Sequence, residues 1–304
     1  MANKEKMFDA YNQHLNLIRE LNITNRTDEY ICPICLQGYC KDDLDKLSLE
    51  DAPQDALGGK KIAITCANCN NTCGNTIDFH LINYLDIIEN KSFLSGTNRK
   101  IRIMDLGQGK PIEASFRIND NNEKELLIHR NFFNFPNYKE RLDMLVVGKD
   151  VSVQDKPIKY DFRYVTAAIM KNAYIILFSK TGYTFLLDEY YNKIRTFITN
   201  PETITNPQSL WTIIPNNCCR EGIFLSNNKN CRGFYIVYTV SKIKSYKIIT
   251  YIPSPFVKFE EAISSFHKLR TERNGLLLQE LNSQGLLWNK NEIKSIREWT
   301  YSKK

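Results

Sequence analysis

The chain has no run of about eighteen apolar residues, which excludes a membrane-spanning helix by sequence. Its first residues, Met1-Ala2-Asn3-Lys4-Glu5-Lys6, are polar and no apolar run follows them, so nothing there reads as a secretory leader. There is no internal repeat and no low-complexity linker. Cysteine is present but odd in number, nine in all, and four of them fall into two short pairs. Both facts argue against a disulfide framework and for a reducing, cytoplasmic setting. The formal charge of +7 over 304 residues is modest. It suits a nucleic-acid partner without requiring one. With 42% hydrophobic and 25% charged residues the composition is that of an ordinary folded protein, long enough for two domains or for one domain with a small appended module. Richness in Asn, Lys, Ile and Tyr points to an AT-rich microbial genome.

The two cysteine pairs organise the rest. Cys32-Pro33-Ile34-Cys35 and Cys66-Ala67-Asn68-Cys69 are C-x-x-C knuckles about thirty residues apart. Together they offer four thiolates, the tetrahedral set that a structural Zn2+ prefers. An ion held this way substitutes for the apolar core that so short a segment cannot build. A redox C-x-x-C does not come in pairs and follows a strand in an α/β unit. Cys40 and Cys73 are spare thiols near the knuckles, each either a replacement ligand or part of the core. Cys218, Cys219 and Cys231 lack metal spacing and read as core thiols.

Between and after the knuckles run Leu47-Ser48-Leu49-Glu50-Asp51-Ala52-Pro53, Leu57-Gly58-Gly59-Lys60 and Cys69-Asn70-Asn71, then Gly74 and Asp78. This succession over residues 30–82 resembles the four-cysteine subgroup of the HNH endonuclease family. The resemblance implies a zinc-stabilised ββα-metal module and metal-dependent hydrolysis of phosphodiester bonds, DNA before RNA. It also implies a phage-defence or mobile-element setting in bacteria. By position, Glu50 would be a metal-proximal carboxylate, Asn71 a bracing asparagine, and Asp78 or His80 the closing ligand of a catalytic Mg2+, Mn2+ or Ni2+. Two positions depart from the pattern. Pro53 comes one residue early, and Asp51 stands where the family has its catalytic histidine. An ordinary aspartate, with a pKa of about 4, is a weaker base at neutral pH than histidine at about 6.5. Either the mechanism is altered, with Asp51 holding a metal-bound water, or the scaffold is catalytically silent and serves nucleic-acid binding or complex assembly.

The expected architecture is α+β: an N-terminal amphipathic helix (1–28), the zinc module (29–95) and a mixed α+β domain (96–304) that binds substrate or partner. The first helix, 4–22, carries Met7, Tyr11, Leu15, Ile18 and Leu21 at helical spacing, for packing on the zinc module or an oligomer contact. A second helix is expected over 77–88. Strands are expected at 100–104, 114–118, 125–129 and 144–147. Gly107-Gln108-Gly109-Lys110-Pro111 reads as a hairpin and lacks the spacing of a P-loop. Residues 161–178 are apolar on more than one face and predict a buried central helix ended by Gly182. A helix over 187–198, strands at 223–225, 234–240 and 246–252, and a helix over 259–269 follow. Lys242, Lys244, Tyr246, Lys247 and Tyr251 could form a basic, aromatic face that tracks a phosphate backbone, or a solvated sheet face.

Overall fold

A computed structural model describes residues 2–92, 94–104, 110–146, 152–203, 210–228, 230–255, 257–272 and 275–301. It divides into two compact units, one built from Met1–Ile82 with Tyr160–Lys304 and the other from Asn83–Lys159. The division falls at Ile82/Asn83 and Lys159/Tyr160 rather than near residue 95, and the N-terminal helix shares a unit with the knuckles.

Helix α1 (Ala2–Glu20) buries Phe8, Tyr11, His14, Leu15 and Ile18. The predicted stripe holds at its centre, while Met7 and Leu21 are only half-buried and Phe8 and His14 turn inward with it. Asn22 closes the helix at φ 56°, where a short polar side chain is tolerated. Strands β1 (Tyr30–Ile31) and β2 (Gly38–Tyr39) form a small antiparallel ladder, as do β3 (Leu47–Asp51) and β4 (Lys61–Cys66). The turn from β3 to β4 depends on its glycines. Gly58 sits at φ 80°, and a Cβ on Gly59 would run into the Pro53 carbonyl. Helix α2 (Ala67–Cys73) follows β4 directly. A π-helical turn (Gly74–Asp78) leads on into α3 (Phe79–Lys91), in which the second unit begins.

In the second unit β5 (Asn98–Ile103), β6 (Ile112–Ile118) and β7 (Lys124–Ile128) are followed by α4 (Tyr138–Val146) and β8 (Val153–Asp155). The strands form one antiparallel sheet, ordered β7-β6-β5-β8. Alternation puts Ile101, Ile103, Ile112 and Ala114 on one face, against Phe132 and the apolar side of α4. The strand expected at 144–147 is not formed. Tyr138, Leu142 and Leu145 recur at helical spacing, and in α4 they reach this core, with Met144 also packed on it. The expected hairpin at 107–111 and the end of that strand at Val147 lie outside the described residues, apart from Lys110 and Pro111.

The first unit resumes with α5 (Phe162–Thr181), capped by the Asp161 carboxylate on the Arg163 N–H at 2.8 Å and ended by Gly182 at φ 53°. It is buried along its length, as its apolar composition predicts. Helix α6 (Asn192–Thr199) starts later than expected, because Asp188 caps a 3-10 turn at Glu189–Tyr191 first. Strands β9 (Trp211–Ile214), β10 (Gly222–Ser226), β11 (Gly233–Ser241) and β12 (Ser245–Pro253) precede α7 (Phe259–Thr271), β13 (Gln279–Glu280) and α8 (Lys290–Tyr301). Their sheet is antiparallel in the order β13-β10-β11-β12-β9. One expectation fails here: Cys218 is exposed and Cys219 half-buried, so of these three thiols Cys231 alone is in the core. Of the stretch read as a phosphate-tracking or a solvated sheet face, Lys242 and Lys244 are exposed and Tyr246 is half-buried. Tyr251 is buried against Tyr235, and the Lys247 ammonium is tied to the carbonyls of Asn216 and Cys219.

Candidate metal centre and the buried acidic pair

Each knuckle is shaped by its flanking backbone. After Cys32, Leu36 adopts φ 59° and its N–H bonds the Cys32 carbonyl at 2.9 Å, while the Cys32 N–H bonds the Gln37 carbonyl at 2.9 Å. That turn aims both sulfurs of the first pair inward. Cys66 ends β4 and opens α2, its sulfur accepting from the Cys69 N–H at 3.3 Å. Its own N–H donates to the Cys32 sulfur at 3.4 Å. The four sulfurs of Cys32, Cys35, Cys66 and Cys69 lie within 4.8 Å of one another, and Cys35 and Cys66 are 3.7 Å apart. Four ligands about 2.3 Å from a tetrahedral Zn2+ stand about 3.8 Å from each other, so the donor set and spacing fit that ion. Cys35 is exposed and the other three are buried, the arrangement of a structural site with one face near solvent. Neither spare thiol belongs to it. Cys40 is exposed on the Asp43 carboxylate, and Cys73 is buried at the end of α2, its thiol pushed up to about 12, mainly by burial.

The knuckles are tied to the rest of the unit through tyrosines. The Tyr183 hydroxyl accepts from the Ile31 N–H at 3.0 Å and donates to the Ile31 carbonyl at 2.9 Å, satisfying both backbone groups of the residue before Cys32. Tyr174 donates to the Pro33 carbonyl at 3.1 Å, and Tyr30 to the Ile64 carbonyl.

The structure brings two of the five candidate catalytic residues into one network. Glu50 lies on β3 beside a register shift, and Asp78 ends the π-turn. Between them stands the ammonium of Lys171 from α5, 2.9 Å from Glu50 Oε1 and 2.7 Å from Asp78 Oδ2. Thr65 donates to Glu50 Oε2 at 2.8 Å, Gln54 donates to Asp78 Oδ1 at 2.7 Å, and Asn172 donates to Gln54 at 3.3 Å. The Lys171 side chain is 1% exposed and that of Glu50 2%. Burial alone would lower the Lys171 pKa. The charges of Glu50 and Asp78 outweigh it and hold the ammonium above the ordinary lysine range. Helix α5 lies along β4 and the π-turn, covering the acidic pair.

The other three candidates stand elsewhere. Asp51 is half-buried on the edge of β3, its pKa raised mainly by burial against the opposing pull of Lys61. Asn71 is exposed on α2. Its neighbour Asn70 makes the brace expected of it, donating to Ser48 Oγ at 2.5 Å and the Leu49 carbonyl at 3.3 Å. His80 packs on Phe79 and Tyr164, and its Nδ1 accepts from the Asp161 N–H at 3.0 Å. Burial lowers its pKa. Sequence reasoning missed Lys171, Gln54 and Thr65. Lys171 left one signal, a charge set inside a helix apolar on every side, which implies a buried counter-charge.

Comparison of the chain with protein-family models, with curated proteins and with solved structures finds no match.

Proposed function

We propose that this chain is a non-hydrolytic zinc protein of HNH-like construction that binds nucleic acid. The observation that carries the reading is the Lys171 ammonium seated between Glu50 and Asp78. A divalent cation there would have to expel a buried lysine that already ion-pairs with both carboxylates, at a cost of several kcal/mol for the stranded charge. Scissile phosphate would also need the path that α5 covers. Asp51 in place of a histidine base agrees with a site that does no hydrolysis. The zinc-bound segment then acts as a folded support. The charge distribution favours an anionic partner for the remainder, since residues 160–304 carry 20 Lys and Arg against 11 Asp and Glu.

The HNH endonuclease reading draws on one specific observation: the antiparallel β3–β4 pair followed at once by α2, with Glu50 and Asp78 converging. One experiment separates the two. Purified protein is incubated with single- and double-stranded DNA and with RNA, in Mg2+, Mn2+ or Ni2+, and DNA affinity is measured at two salt concentrations. The proposal expects no cleavage and an affinity that falls steeply with salt. Metal-dependent cleavage lost in Glu50→Ala and Asp78→Ala would overturn the non-hydrolytic half. Absence of salt-sensitive binding would overturn the nucleic-acid half.

A further inference from the structure

The second unit holds a cleft of about 520 Å³ that the chemistry above does not use. Its floor is aromatic, made by the half-buried Phe135, with Phe132 of the core behind it, in the turn after β7. Its rim is cationic. Arg102 comes from β5, Lys110 precedes β6, and Lys156 follows β8. Strand pairing explains the convergence, because Arg102 lies opposite Glu113 across the β5–β6 ladder and β8 pairs with β5 on the other side. Glu113 holds two of the three cations, with Arg102 Nε at 2.9 Å and Lys156 Nζ at 3.2 Å. Those two neighbours keep its carboxyl below the usual glutamate range. Lys110 has no carboxylate partner among the described residues, so the rim keeps a surplus of positive charge.

Arg141 braces this arrangement from within. Its residue is 3% exposed, and its guanidinium lies 5.6 Å from the centre of the Phe132 ring and 5.8 Å from that of Phe135. The same guanidinium donates to the Lys110 carbonyl at 2.6 Å, which fixes the lysine's backbone to the aromatic floor. His129 also lines the cleft, held by a 3.0 Å hydrogen bond between its Nε2 and Ser115 Oγ.

We propose that this cleft binds a nucleoside phosphate, with the base against Phe135 and the phosphate between Lys110 and the Arg102–Lys156 pair. The volume falls in the range of small-ligand sites, roughly 300–1,000 Å³. A base gains affinity by stacking on an aromatic side chain, whichever base it is. A phosphate brings about −1.5 to −2 charges at neutral pH, which matches the surplus on the rim. An aliphatic acid would leave the floor unused, and inorganic phosphate would do the same. The inference rests on residues of the second unit and is independent of the reading of the acidic pair.

Calorimetric titration of the full-length protein tests it, with the monophosphates of adenosine, guanosine, cytidine and uridine, and with adenosine and inorganic phosphate as partial ligands. At least one nucleotide is expected to bind saturably with Kd below about 1 mM. Adenosine and inorganic phosphate should each be at least about tenfold weaker. A Lys110→Ala, Lys156→Ala double variant should weaken the nucleotide by a similar factor with its thermal midpoint unchanged, since both lysines are exposed. No saturable binding of any of the four nucleotides, undiminished binding by the double variant, or inorganic phosphate binding as tightly as a nucleotide would each overturn the proposal.

Discussion

Replacing Lys171 with methionine removes one positive charge from a site where two carboxylates stand 2.9 and 2.7 Å from it. The methionine keeps most of the volume, so packing changes little and electrostatics dominates. In the wild type the folded-state lysine pKa lies above its unfolded value. Its contribution is therefore complete below the unfolded pKa, covers neutral pH, and is lost only as pH rises through the raised value. Without the ammonium, Glu50 and Asp78 face each other in a dry interior. Removing one partner of a buried ion pair costs about 3–5 kcal/mol. For a chain of this size that corresponds to a fall in Tm of about 5–8 °C. The deficit should shrink on acidification, because a carboxyl left without its counter-charge takes up a proton more readily folded than unfolded. Adding Glu50→Gln and Asp78→Asn to Lys171→Met should recover most of the loss, a strong departure from additivity. Scanning calorimetry of the wild type, the single and the triple variant at pH 7.5 and pH 5 provides the measurement. A single variant within about 2 °C of wild type at pH 7.5, or a triple variant less stable than the single, would refute the buried lock.

Elemental analysis should give one zinc per chain, and Cys66→Ser, which removes a buried ligand, should abolish it and with it cooperative unfolding of the first unit. Tyr183→Phe leaves the N–H and C=O of Ile31 buried without their shared hydroxyl, an expected loss of about 2–4 kcal/mol by denaturant titration. His14, fully buried, has its pKa lowered to about 4, chiefly by burial. The unfolded chain binds that proton first, so stability falls as pH drops from about 6.5 towards 4, by up to about 3 kcal/mol. His14→Gln should flatten that part of the pH–stability curve, and an unchanged slope would exclude His14 as its source.

What was legible in the sequence was whatever has a local signature. The knuckles announce themselves by spacing and by the turn residues around them, and the four sulfurs do converge. The central helix was readable because α5 buries 14 of its 20 residues, nearly all of those from Val165 to Phe178, so that its apolar run has no polar face to blur it. The strands β10, β11 and β12 were readable from β-branched and aromatic density. What failed to register depends on distant partners. Residues 144–147 read as a strand because four apolar residues in a row have no period of their own, and only the core beside β5 and β6 draws 144–146 into a helix. Helix α8 was hidden because its buried positions, Ile293, Ile296 and Thr300, are outnumbered by charged neighbours. The acidic pair was found through the motif around it. Its counter-ion was not, since Lys171 lies 121 residues beyond Glu50 and nothing local joins them.

The first unit is assembled from two stretches of chain with the second unit spelled out between them, and this sets an order of events during synthesis. Asp78 leaves the ribosome 93 residues ahead of the lysine that will neutralise it. At about 5–20 residues per second, that leaves roughly 5–20 seconds in which the knuckles can already capture their metal while the two acids remain hydrated. The nascent amino-terminal segment would thus exist for a time as an open, acid-lined precursor, closed only when the central helix arrives to fill the gap.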